Sequence, residues 1–236
     1  DGIFRVCYTD AFQAGVMAKF ARSIDVQKAA ILSDASTPYS AGLAESFRKE
    51  FSALGGTIVA EESYRTGDKD FAAQLQAIKA QSPEIIFLPS YYAEAALIIQ
   101  EARKQGIDAP FLGTDGWDSP EFLKVGGGAV DNSYFCSHFA SETTSEAVKR
   151  FVGAYAAKFG NAPPPLAALT YDAVMLAADA LKRAGSTDPA GLRQALAATA
   201  DFPGVTGGIT FDADRNPRKP GIVIRVDEGK STYLET

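Results

Sequence analysis

Ile85-Ile86-Phe87-Leu88-Pro89-Ser90-Tyr91-Tyr92 sets an unbroken apolar run of four against a proline, a serine and two tyrosines. A short apolar run without alternation reads as a strand buried on both faces, and such strands belong to parallel sheets covered by helices. From Tyr92 the pattern turns helical until Gln105 and stops at Gly106. Pro110-Phe111-Leu112-Gly113 then repeats the short strand.

Upstream the same unit recurs. Ala29-Ala30-Ile31-Leu32 is a strand, followed by a helix over 40–54 with Leu43, Phe47 and Leu54 on one face and Gly55-Gly56 at its stop. Thr57-Ile58-Val59-Ala60 is the next strand, and Asp70 caps a helix that carries Phe71, Leu75 and Ile78. Ile3 to Tyr8 is a further β-type run, with Asp10 capping a helical stretch over 12–24. Strands alternating with helices predict an α/β, doubly wound parallel sheet over residues 1–115.

Beyond that the rhythm changes. A strand at Ser133-Tyr134-Phe135-Cys136 precedes three helices, over 144–159, 166–184 and 188–200, with no strand between them. Residues 207–211 and 221–226 read as two antiparallel strands joined by the polar loop 212–219. The apolar faces of the first two helices (Val148, Phe151, Tyr155; Val174, Leu176, Leu181) need a cover, and if the chain supplies none, self-association or a partner through 144–184 is expected.

The 236 residues are 46% hydrophobic and 22% charged, an ordinary globular balance that excludes a disordered or fibrous chain. With 23 Lys+Arg against 29 Asp+Glu, and no basic block, no nucleic-acid partner is expected. Two cysteines and one histidine cannot assemble the common zinc sites, and a histidine-dependent nucleophile would have to use His138. His138 follows a strand with no catalytic partner close to it in sequence, which favours a surface or hinge role over catalysis. Gly126-Gly127-Gly128 follows a helix, and the glycines of 204–208 precede a strand; neither has phosphate-loop or dinucleotide spacing. No cofactor is expected. No apolar run approaches the roughly 20 residues that span a bilayer, and the first residues do not read as a leader.

In an open parallel sheet, ligands bind beyond the carboxyl ends of the strands. Those exits carry Ser33-Asp34-Ala35-Ser36-Thr37-Pro38-Tyr39, Pro89-Ser90-Tyr91-Tyr92 and Thr114-Asp115-Gly116-Trp117-Asp118. A carboxylate among aromatic rings and hydroxyls suits a small cation such as an amino acid's ammonium. Tyrosine and aspartate also serve as plain turn residues there, and both readings stand at this point. Asp115 and Asp118 also suggest a hydrolase acid pair, although Asp118-Ser119-Pro120-Glu121 looks like a helix cap. Cys7 and Cys136, each on a predicted strand, read as thiols or as a disulfide.

Several stretches, taken in order, resemble one family. They are Tyr39-Ser-Ala-Gly-Leu-Ala-Glu-Ser-Phe47, Ala53-Leu-Gly-Gly-Thr-Ile-Val-Ala-Glu-Glu-Ser-Tyr64, Asp70-Phe71, Ile86-Phe-Leu-Pro-Ser-Tyr-Tyr92, Leu112-Gly-Thr-Asp-Gly-Trp-Asp-Ser-Pro-Glu121, Tyr171-Asp-Ala-Val174 and Gly204-Val-Thr-Gly-Gly-Ile-Thr-Phe-Asp212. The chain resembles the leucine/isoleucine/valine-type periplasmic binding proteins, the substrate-binding subunits of ABC amino-acid importers, with the type I two-lobed fold. The resemblance implies a non-enzymatic, periplasmic or otherwise extracytoplasmic receptor, with an amino-acid-like ligand and an ABC permease as partners. A ligand-sensing receptor of the same fold is the alternative, and a hydrolase using Asp115 and Asp118 the third reading.

The resemblance implies that Tyr39, Tyr91 and Asp115 surround the ligand's ammonium, that Trp117 walls its side-chain pocket, and that Thr9, Asp10 and Gln13 lie at the cleft mouth. It also implies that most of the N-terminal lobe, whose loops and helix N-termini grip the ligand carboxylate, is absent. Residues 1–131 and 203–236 would then form the complete C-terminal-type lobe. Residues 135–202 would be a mostly helical remnant of the other, with Cys7 and Cys136 on hinge strands.

Overall fold

The computed structural model describes residues 2–142 and 145–234. The chain divides into two compact units, Asp10–Ser137 with Val223–Thr236, and Asp1–Thr9 with His138–Ile222. The division differs from the expected one. Residues 1–9 and 203–222 belong with the helical unit, and only the last strands return to the sheet.

The larger unit runs α1 (Asp10–Ser23), β1 (Lys28–Asp34), α2 (Pro38–Ala53), β2 (Thr57–Tyr64), α3 (Ala72–Ala80), β3 (Ile85–Phe87), α4 (Tyr92–Lys104), β4 (Phe111–Gly113), α5 (Pro120–Gly126) and β5 (Ser133–Ser137). After the excursion through the other unit come β9 (Ile222–Asp227) and β10 (Lys230–Leu234). Their sheet has the order β10-β9-β5-β4-β3-β1-β2. The pairs β1–β2, β1–β3, β3–β4 and β4–β5 are parallel, while β10 runs antiparallel to β9.

The apolar runs decide this arrangement. β3 and β4 are buried at every residue, and β1 at five of its seven. Such strands are stable only with helices on both faces, and right-handed crossovers supply them. α2 packs against α1, and α4 against α5 and α3. From β1 the chain goes outward to β2, then returns to the other side of β1 for β3, β4 and β5. The direction of winding therefore switches between β1 and β3, the position at which open α/β sheets bind ligands beyond the carboxyl ends of their strands.

The smaller unit holds α6 (Glu146–Phe159), α7 (Pro165–Ala184), α8 (Pro189–Ala197) and a three-stranded sheet of β6 (Phe202–Gly204), β7 (Gly207–Phe211) and β8 (Pro217–Arg218). The predicted start of the first helix, Thr144, lies outside the described residues. Val148 and Phe151 are covered within the unit by Phe139, Ala168 and Val205, and Leu176 by Ile209 and Phe211. The expected need for an outside cover is thus met for these three. Leu166 (74% exposed), Val174 and Leu181 remain on the surface.

Two strand expectations fail here for lack of a partner strand. Ile3 to Tyr8 forms no strand: Arg5 N–H reaches Arg215 O (3.5 Å) and Arg215 Nε reaches Ile3 O (3.1 Å), which is no ladder. Phe4 and Val6 instead pack on the Leu176 cluster. β7 and β9 do not pair either, because β7 joins β6 and β8 while β9 lies beside β5.

Buried polar groups tie the smaller unit together. The Asp172 carboxylate accepts from the Val205 and Thr206 amides (2.7 and 2.8 Å) and from the Thr206 hydroxyl (2.6 Å). Lys219, only 7% exposed, donates to Thr206 Oγ1 (2.8 Å) and lies 5.1 Å from the centroid of the Tyr8 ring. Tyr8 also stacks with His138 at 4.1 Å. His138 is buried, which corrects the surface reading. Cys7 and Cys136 are both thiols, half-buried and buried, and belong to different units.

Candidate functional site

The switch between β1 and β3 sets the location, and three loops at the carboxyl ends of the larger unit's strands supply the residues. After β1, the Thr37 side chain caps α2 by accepting the Ser40 amide (3.3 Å), and Pro38 opens the helix. This places Tyr39 in the first turn. Ser40, one residue on, is buried; its hydroxyl accepts the Asp34 amide (2.8 Å) and donates to Pro89 O. That bond fastens the β1 exit to the β3 exit, which carries Tyr91.

Tyr39 and Tyr91 stack with ring centroids 5.0 Å apart and planes 15° from parallel. Tyr91 is 53% exposed and forms the open face of the pair. The Tyr39 hydroxyl donates to Asp115 Oδ1 (2.8 Å), lies 2.8 Å from Thr114 Oγ1, and accepts the Gly116 amide (3.2 Å). Burial, followed by the nearby Asp115 charge, holds the Tyr39 phenol well above its ordinary range. It therefore stays protonated and remains a donor to the carboxylate.

Asp115 opens a 3-10 turn (Asp115–Trp117) directly after β4. Its amide donates to Gln13 Oε1 on α1 (3.0 Å). Gly116 is required by the crowding: a Cβ there would lie 2.7 Å from Ser90 O and 3.0 Å from the Tyr39 hydroxyl. The three loops thus bring one carboxylate, one phenol and one exposed aromatic face together. Such a group can receive a small ammonium by charge, hydrogen bond and ring contact.

Of the residues expected from sequence, Tyr39, Tyr91 and Asp115 come together. Trp117 does not lie with them. It is 0% exposed, stacked on Phe122 (4.8 Å), close to Phe135, and bonded through Nε1 to Ser90 Oγ (3.4 Å). Its ring occupies the space over Gly113, where a Cβ would fall 2.2 Å away. This corrects the pocket-wall reading: Trp117 is core packing beneath the loop. Asp118 does not cap the short helix either. Ser119 does, accepting the Glu121 amide (3.3 Å), while Asp118 accepts the Ser137 hydroxyl.

Gln13 is also corrected, being 1% exposed and turned into the unit rather than to a mouth. Its spacing gave no sign of the Asp115 contact, which joins residues 102 apart in sequence. Among the described residues no group of three or more His, Cys, Asp or Glu is placed to hold a metal ion, and no helix is long and apolar enough to cross a membrane.

A family model described as periplasmic binding protein matches residues 1–231, and the chain belongs to that family. Its fold is that of the type I periplasmic binding proteins. Leu/Ile/Val-binding protein homolog 1 of Brucella suis is 30% identical over 98% of this chain and 63% of its own length. The leucine-binding protein LivK of Thermotoga maritima superposes with a TM-score of 0.92 at 36% identity, covering 98% of this chain and 67% of that one. LivJ of Streptococcus pneumoniae, solved with isoleucine, gives 0.84 at 36% identity, with 94% and 64% covered. The chain thus spans about 63% of the length of the Brucella relative it matches.

Proposed function

We propose that this chain belongs to a non-enzymatic receptor for a branched-chain amino acid, which hands its ligand to an ABC importer outside the cytoplasm. The observation that carries the reading is the Tyr39–Asp115 hydrogen bond beneath the exposed Tyr91 ring, at the sheet's switch point. Asp115 and the two tyrosines receive the ligand's α-ammonium, and the apolar side chain lies against Tyr91. The relatives' names and the isoleucine bound to the Streptococcus protein support this ligand class.

Calorimetry on this chain with L-leucine, 4-methylpentanoate (no ammonium) and 3-methylbutylamine (no carboxylate) tests the assignment. Leucine and the amine should bind and the acid should not. Equal binding of leucine and the acid would overturn the ammonium assignment.

A further inference from the structure

An aspartate side chain at the start of a short helical turn has its own main-chain amide and its neighbour's close by, and local side-chain-to-backbone bonds of this kind compete with bonds to distant groups. In the turn at Asp115 both of the nearest amides are already taken. Gln13 Oε1 accepts the Asp115 amide at 3.0 Å, and the Tyr39 hydroxyl accepts the Gly116 amide at 3.2 Å. Thr114, at the cap position, contributes no side-chain bond to the turn.

Gln13 itself is an unusual core residue. It is a polar side chain, 1% exposed, on the buried face of α1 among Ala14, Met17 and Ala18. An apolar residue would fill that place without the desolvation penalty of an amide. The hydrogen bond to the turn is what offsets it.

We propose that Gln13 is a positioning residue for the ligand edge: by holding the Asp115 amide it keeps the Asp115 carboxylate turned toward Tyr39 instead of onto its own turn. It touches no ligand. It deepens the amino-acid reading by naming the residue that orients the acid, and it is testable without any ligand.

The test compares Gln13→Met, which keeps the volume and removes the acceptor, with Gln13→Glu, which restores an acceptor of the same reach. Amide exchange at Asp115 and the Tyr39 ring 13Cζ shift are measured by NMR, and leucine affinity by calorimetry. Gln13→Met should speed Asp115 exchange at least tenfold, shift the Tyr39 signal and weaken leucine at least tenfold. Gln13→Glu should recover the exchange protection and the Tyr39 signal.

A Gln13 that only fills the core gives the opposite result, with Gln13→Met matching wild type on both NMR signals; that overturns the proposal. So does Gln13→Glu showing the same loss as Gln13→Met. Where Gln13→Met does not fold, Gln13→Asn, which withdraws the same amide by one methylene, takes its place with the same expectations. If wild type binds no amino acid, the functional reading fails on its own, and the two NMR signals still decide the role of Gln13.

Discussion

The Tyr39 hydroxyl and the Asp115 carboxylate, 76 residues apart in sequence, meet at 2.8 Å and make one unit of two βα loops. The same hydroxyl accepts the Gly116 amide, so it is donor and acceptor at once. Tyr39→Phe removes both of these bonds and the contact with Thr114 Oγ1, and leaves the half-buried carboxylate short of one donor. A hydrogen bond to a charged group contributes about 1.5–3 kcal/mol, so leucine affinity should fall roughly tenfold or more. Asp115→Ala, which removes the charge, should fall further. Calorimetry that finds Tyr39→Phe as tight as wild type would remove the phenol from the site.

Two neighbouring glycines should respond differently. Gly113→Ala drives a Cβ to 2.2 Å from a fully buried indole, and Gly116→Ala drives one to 2.7 Å from a backbone carbonyl and 3.0 Å from the Tyr39 hydroxyl. Overpacking costs about 1–3 kcal/mol. The first variant should lose more melting temperature in a circular-dichroism scan. The second should lose more ligand affinity, because Tyr39 is the group that moves. The reverse ranking would contradict the placement of Trp117 under Gly113.

Burial pushes the Lys219 amine down to about 8, against the pull of Asp172 and Cys7 in the other direction. Below about pH 8 the folded and unfolded chains both hold this proton, and the folded state bears the full desolvation penalty. As pH rises from about 8, the folded amine releases its proton while the unfolded one, near 10.5, keeps it. Stability contributed by this group therefore rises with pH, by at most about 1.4 kcal/mol per pH unit. Above pH 10 the phenols of Tyr39 and Tyr64, both held high chiefly by burial, work the other way. Melting temperature should climb between pH 8 and pH 10 in wild type, and Lys219→Met should remove that climb. Parallel curves for the two proteins would count against a buried amine.

The acid side has its own group. Burial of Asp34 works against its charge, but bonds from the Ser36 and Thr66 hydroxyls and amides outweigh it and hold the carboxyl below its usual range. A depressed carboxyl stabilises above its unfolded value near 3.8, and the contribution disappears as pH falls through the lower folded value. Asp34→Asn should lose stability at pH 7 and show a shallower acid transition than wild type. An unchanged pH 7 melting temperature would mean that the tie between the β1 and β2 exits is not holding them.

The strands and helices of the larger unit were readable because their signal is local. Ile85 to Phe87 and Phe111 to Gly113 are apolar throughout, and Gly106 marks the helix end between them. Tyr39, Tyr91 and Asp115 could be named because a parallel sheet sends all its strand exits to one edge. What stayed hidden depends on distant neighbours. Ile3 to Tyr8 has a strand's composition, but no ladder partner lies beside it. Trp117 follows a strand as the candidate residues do, yet the missing Cβ of Gly113 lets its ring sink into the core. The pairing of Gln13 with Asp115 is written in no spacing, since an amide in a helix and a turn far downstream carry no shared pattern.

The larger unit is written in two pieces of chain, and that has a consequence for its birth on the ribosome. β5 is complete at Ser137, but β9, its neighbour in the sheet, is not synthesised until Ile222–Asp227. Throughout translation of the intervening segment β5 is an open edge, the kind of strand that recruits other chains. A nascent chain stalled before residue 222 therefore keeps that edge open to other strands. The β9–β10 hairpin acts as the clasp that ends that exposure.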